Sequence, residues 1–160
     1  MDKFLLRQQV LERLAEDLLQ AEGAVQAAHE TATHEENIAE NKYDTLGLEA
    51  AYLATGQARR AEAIRQAMAT WQQFRPRPYD ASRGIQLGAL VCLVDSDSNE
   101  QPVFLGPEGG SMKLLIGAQF VQVISSRAPL GKAMLRKHEG DDVSLEVAPI
   151  RQQFVVLRVD

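Results

Sequence analysis

The sequence predicts an α+β protein: an N-terminal antiparallel coiled-coil hairpin followed by a small antiparallel sheet domain with one short helix. Three observations predict it. Apolar residues recur at alternating steps of three and four through the first part of the chain, a proline-rich stretch breaks that period, and short Val-, Leu- and Phe-rich runs bounded by turn residues follow. The corresponding boundaries are a hairpin over 1–75, a linker over 76–84 and a sheet domain over 85–160.

In the first arm, Leu11, Leu14, Leu18, Ala21, Val25, Ala28 and Ala32 form an apolar seam. Leu46, Ala50, Leu53, Gln57, Arg60, Ile64, Ala67, Trp71 and Phe74 form a second, apolar except at Gln57 and Arg60. Neither seam is stable in water, and the simplest partner of each is the other. An arm of about 30 residues spans roughly 45 Å. The reversal is expected near 37–43, inside EENIAENKYD. There Asn37 and Asn41 tolerate the left-handed conformation, Asp44 can cap the second helix, and Glu35, Glu36 and Glu40 fall at the tip. The alternative is one continuous helix of about 70 residues that dimerises. Gly23, Gly47 and Gly56 each weaken a helix interior by up to ~1 kcal/mol relative to Ala, so close packing across the seam is their expected reason.

The linker FRPRPYDASRG, from Phe74 to Gly84, carries the proline, serine and glycine signals of a domain boundary. Beyond it, GIQLGALVCLVD, QPVFLGP, QFVQVIS, VSLEV and QFVVLRV read as five strands. APLGKAMLRKH reads as a short helix with Pro129 in its first turn, where a missing N–H costs nothing. Phe104, Phe120 and Phe154 lie in strand-like runs and are expected to face the core. Leu114, Leu115 and Ile116 are either core or a contact patch.

Composition narrows the function. A formal net charge of -5 argues against wrapping nucleic acid through phosphate neutralisation alone. Between Leu14 and Ala58 nine acidic residues face a single basic one, Lys42, so the tip end of a hairpin is strongly negative. No apolar run is long enough to span a bilayer and the N-terminus is unlike a signal peptide, so the expected location is the cytoplasm, with no membrane partner. Cys92, the lone cysteine, reads as a small buried apolar residue. His29 and His34, five apart on a helix, do not converge on a metal. His138 falls near the end of the short helix, and Lys132, Arg136 and Lys137 form either a basic docking edge or a complement to that helix's dipole.

The run APLGKAMLRKHEGDDVSLEVAP, from Ala128 to Pro149, resembles the C-terminal signature of the bacterial Gre family of transcription elongation and transcript-cleavage factors. PVFLGPEGG resembles the same family's strand and turn. The resemblance implies a coiled coil joined to a globular domain of FKBP-like fold, docked at the rim of the RNA polymerase secondary channel. It implies cytoplasmic transcription regulation, with DNA binding only by family analogy and indirect contact with nascent RNA. It further implies that tip carboxylates, here Glu36 and Glu40, help hold a Mg2+ shared with the polymerase, with no cofactor bound stably by the chain itself. Carboxylates suit that task because Mg2+ takes one or two of them and completes its shell with phosphate and water. The family pattern has Asp three residues before the Glu-Asn pair, where this chain has Asn37. Ser126, Arg127, Pro129 and Lys132 match the docking segment, with Arg127-Ala128 where relatives carry an acidic residue and Ser or Thr. Arg59, Arg60 and Arg65 suit either RNA or an exposed coil face.

Three readings follow: an accessory factor that stimulates cleavage of backtracked RNA and is not itself an enzyme, a non-cleaving modulator in the same channel, and a coiled-coil interaction module. Isomerase activity is not expected, since that site needs an aromatic-lined pocket.

Overall fold

The computed structural model describes residues 1–33 and 46–160. Its elements in chain order are α1 (Lys3–Thr33), α2 (Leu46–Gln73), β1 (Leu90–Asp95), β2 (Glu100–Gly106), β3 (Met112–Ile116), β4 (Gln119–Ser125), α3 (Pro129–Met134), β5 (Asp142–Val147) and β6 (Ile150–Val159). The chain divides into two compact units, Met1–Leu11 with Thr70–Asp160, and Glu12–Ala69.

The helices pair antiparallel within the chain, as the hairpin reading requires. In the first unit Arg7 Nε donates to the Trp71 carbonyl at 2.9 Å, and in the second Arg65 Nη2 donates to Glu22 Oε1 at 2.9 Å. The reversal, with Asn37, Asn41 and Asp44, lies outside the described residues. On α1 the expected seam is observed: Leu14, Ala21 and Ala28 are buried, and Leu11, Leu18 and Val25 half-buried. On α2 the seam corrects the expected one. Leu53 is 57% exposed and Arg60 is exposed, while Ala54 is half-buried and Ala61 buried in their place. Shifting the face by one residue keeps a guanidinium out of an apolar seam, where its desolvation would cost several kcal/mol, on the order of the penalty for any buried ion. Gln57 stays in the seam, and its Oε1 is buried without a hydrogen-bond partner among the described residues.

The sheet has six strands in the order β3-β4-β2-β1-β6-β5. All neighbours are antiparallel except β2 and β4, which run parallel with Gly106 opposite Ser125. Two features correct the expected antiparallel five-strand sheet. β3 is an additional edge strand whose alternation is visible only in place, with Leu114 buried and Leu115 56% exposed. The β3-β4 hairpin turns at Gly117 (φ 63) and inserts β4 between β3 and β2, which makes the β2-β4 pair parallel.

The central strands are buried on both faces, so β1 and β2 read as continuous apolar runs rather than alternating ones. One face packs Val91, Leu93, Val103, Leu105, Ile124, Phe154 and Val156 with Met134 of α3 and Ile85, the residue after the linker. Phe104 belongs to a second cluster with Trp71 and Phe74, at centroid distances of 6.3 Å from each. Phe120 departs from the core expectation: it is 55% exposed and lies under the Lys113 ammonium, 4.7 Å from its ring centroid. Cys92 is buried, which pushes its thiol pKa up, as expected of an inert apolar residue.

The glycines separate into two kinds. A Cβ added at Gly106 or Gly110 would overlap the Trp71 ring, so both are required by close packing. At Gly23 and Gly56 an added Cβ meets nothing within 4 Å, which corrects the close-packing expectation for those two. Their cost to the helix is therefore uncompensated. Gly23→Ala and Gly56→Ala should each raise the unfolding free energy in urea by up to ~1 kcal/mol. Gly110→Ala should lower it by about 1–3 kcal/mol, the usual cost of overpacking. Equal effects at Gly56 and Gly110 would contradict this division.

Candidate functional site

Two segments carry the candidate residues. Glu36, Asn37, Glu40, Asn41 and Asp44 lie outside the described residues. Ser126, Arg127, Pro129 and Lys132 are described, and the local chain holds them together at the entry to α3.

β4 ends at Ser125, and the Ala128 N–H donates back to the Ser125 carbonyl at 3.1 Å, turning the chain into the helix. Pro129 occupies the first turn, and Lys132 N–H donates to the Ala128 carbonyl at 2.9 Å. Ala128 is the N-cap and offers no side-chain hydrogen bond, so the orphan N–H groups of this helix lack a polar cap. Gly131 sits against the Ser125 carbonyl so closely that any Cβ would collide with it. The helix ends at Met134, sooner than the expected run to His138, and Arg136 takes a left-handed conformation (φ 65). Lys137 and His138 are therefore outside the helix, and His138 Nδ1 instead lies 3.7 Å from Asp141.

Arg127, Pro129 and Lys132 are exposed and Ser126 is half-buried. The Arg127 guanidinium is paired: its Nε lies 2.9 Å from Glu108 Oε1, in the turn between β2 and β3. Glu108 is the residue that sequence reasoning missed. The signal is the parallel register, since Gly106 opposite Ser125 places residue 108 beside residue 127. Without knowing that β2 and β4 are parallel neighbours, nothing in the spacing joins them. Thus the positive Arg127 meets its counter-charge within the chain rather than standing alone.

Elsewhere, Asp95 accepts from the Asn99 side chain and from the N–H groups of Asn99 and Asp97, which holds its carboxyl below the usual range. These bonds close a turn. Among the described residues no group of three or more His, Cys, Asp or Glu side chains is placed to hold a metal ion, and no helix is long and apolar enough to cross a membrane.

No family model matches the chain. Among curated proteins, transcription elongation factor GreA of Desulfotalea psychrophila is 32% identical over 77 residues, 47% of this chain and 44% of that protein. Over that stretch the chain is similar to a Gre factor. The match spans less than half of that relative's length. Among solved structures, GreA factor homolog 1 (Gfh1) of Thermus thermophilus is 22% identical, with a TM-score of 0.40 and 94% of each chain covered. Gfh1 of Thermus aquaticus is 24% identical, with a TM-score of 0.41 and 92% of each chain covered.

Arg127 and Glu108 have side chains 79% and 57% exposed, so their pairing adds little stability. Arg127→Ala and Glu108→Ala should each shift the urea unfolding free energy by less than ~1 kcal/mol. Gly131→Ala should cost about 1–3 kcal/mol, because the Ser125 carbonyl cannot yield without moving β4. The same titrations check both, and a larger loss at Arg127 would assign it a structural role.

Proposed function

We propose that this chain is a transcription elongation factor that binds RNA polymerase, an accessory protein rather than an enzyme, and acts on backtracked complexes. The observation that carries the proposal is the 77-residue match to an elongation factor of that name. The arrangement at α3 supports it. Gly131 and Met134 of the signature run are buried and accounted for by packing, whereas Arg127, Pro129 and Lys132 are exposed and stabilise nothing inside. Exposed residues on a rigidly seated loop and helix suit a docking surface.

On this reading α3 and its entry loop dock at the polymerase secondary channel, and the helical pair carries its acidic reversal toward the active centre. Glu36 and Glu40 are the ligand type that Mg2+ accepts, so the donor set fits a metal shared with the polymerase. When bound, such a metal supplies charge stabilisation for water attack on RNA. Asn37 favours a second reading. Its amide lacks the charge that draws a divalent cation, which suits a modulator that occupies the channel without promoting cleavage.

One experiment tests both. RNA cleavage and co-purification are measured together in a backtracked elongation complex of the cognate polymerase with Mg2+. The expected result is cleavage above the polymerase's own rate that falls at least about tenfold in Glu40→Ala, the range seen when a charge-stabilising group is lost, with binding retained. Binding without stimulated cleavage selects the modulator. Absence of binding rejects both readings.

A further inference from the structure

The backbone brings two basic segments of the chain side by side. Ile85 N–H donates to the Lys137 carbonyl at 2.8 Å, and Arg136 N–H donates to the Ile85 carbonyl at 2.8 Å. Gly84 is pressed against the Arg136 carbonyl in a left-handed conformation (φ 72) that only glycine fits. This pairing sets Arg83 of the linker beside Arg136 and Lys137, with Lys132 one helical turn earlier. Arg83, Lys132 and Arg136 are exposed and Lys137 is half-buried.

Of these four cations only Arg83 is paired with a carboxylate among the described residues. Asp80 lies 3.6 Å from Arg83, its charge held by hydrogen bonds from the Ser82 hydroxyl and N–H. Glu139 accepts from the Val159 N–H, and Asp141 accepts from the His138 N–H and lies 3.7 Å from His138 Nδ1. Among the described residues, Lys132, Arg136 and Lys137 form no ion pair.

Complementing a helix dipole does not account for them. α3 ends at Met134, and only Lys132 lies in its last turn. Arg136 adds a second observation. A non-glycine residue in the left-handed region costs about 1–2 kcal/mol, and an arginine, unlike Asn or Asp, has no short polar side chain to offset it. Folding alone favours glycine there, so the side chain at this position is explained by something outside the fold.

We propose that Lys132, Arg136 and Lys137 form a docking edge for a carboxylate-bearing protein surface. This rests on the polymerase reading and adds to it the chemistry of the surface met. Acidic protein is favoured over nucleic acid by the rest of the chain. Net charge is -5, and residues 12–69 hold eleven acidic side chains against five basic ones, which repels a polyanion at long range. A few carboxylates on a protein act over about one Debye length, roughly 8–10 Å, and feel the local edge instead.

The test uses the full chain, labelled, titrated with cognate core polymerase at low and physiological salt, and separately with a labelled single-stranded RNA. Arg136→Gly is the informative variant, since it removes the charge while relieving the backbone; Arg136→Gly with Lys137→Gln removes two charges. The expected result is about tenfold weaker polymerase binding for the double variant and a shallower salt dependence, as for loss of complementary rim charges. Its melting temperature should be no lower than that of the wild type. Polymerase binding by both proteins within twofold overturns the docking edge and leaves the polymerase reading standing. Failure of the wild type to bind overturns both. RNA binding that the double variant loses would assign the edge to phosphate and overturn the acidic-protein assignment.

Discussion

The seat of Trp71 is the constraint on which the sheet unit depends. Its ring occupies the space that side chains at Gly106 and Gly110 would fill, and it packs edge-on to Phe74 at 5.7 Å and tilted against Phe104 at 6.3 Å. The indole Nε1–H is buried without a hydrogen-bond partner among the described residues, a loss of about 1–3 kcal/mol. Burying an indole of roughly 200 Å² returns about 5 kcal/mol, so the apolar gain outweighs the orphaned donor. The balance holds only while both glycines remain bare. That is why one face of β2 ends in glycine.

The seat also reaches the loop before α3 through one rung of the sheet. Gly106 lies under Trp71 and opposite Ser125 in the parallel register, and the Ser125 carbonyl is in turn the floor against which Gly131 of α3 rests. Two glycines on either side of a single strand pair thus fix the heights of an aromatic ring and of a helix. A methyl group at Gly131 would have to displace the Ser125 backbone, and one at Gly106 would have to displace the Trp71 ring. α3 has a single short apolar face and no polar cap, and this close seating compensates for the missing cap.

Much of this was legible in the sequence, and what was not has identifiable causes. The hairpin, the linker and five of the six strands follow from periodicity and turn residues. The α2 seam was misplaced at two positions, because the small side chains of Ala54 and Ala61 lie next to Leu53 and Arg60, and hydrophobicity alone prefers the leucine. Keeping Arg60 in water decides between the two, a cost that pattern matching does not weigh. β3 was missed because five residues between glycines give too few alternations, and its partner is placed by insertion rather than by adjacency. The pairing of Arg127 with Glu108 depends on that same insertion, so no reading of spacing could reach it. The acidic residues at the reversal were legible only as composition and resemblance.

The residues that carry the family likeness do not all carry the same kind of information. Gly106 and Gly110 of PVFLGPEGG and Gly131 of APLGKAMLRKH are demanded by contacts inside the unit, and a chain with this fold would need them whatever it bound. Their presence argues for the fold and says nothing of a partner. Arg127, Pro129, Lys132, Arg136 and Lys137 are the reverse case: they are surface positions that packing leaves free to vary. One of the differences from the family pattern, Arg127, falls in this second set and arrives with Glu108 beside it, whereas Ala128 packs partly buried against the core. The change of charge at the docking loop is thus offset locally while the basic edge one helix-length away is not. If the loop contacts a partner, the electrostatic attraction comes from Lys132, Arg136 and Lys137 rather than from the position where the family places its acidic residue.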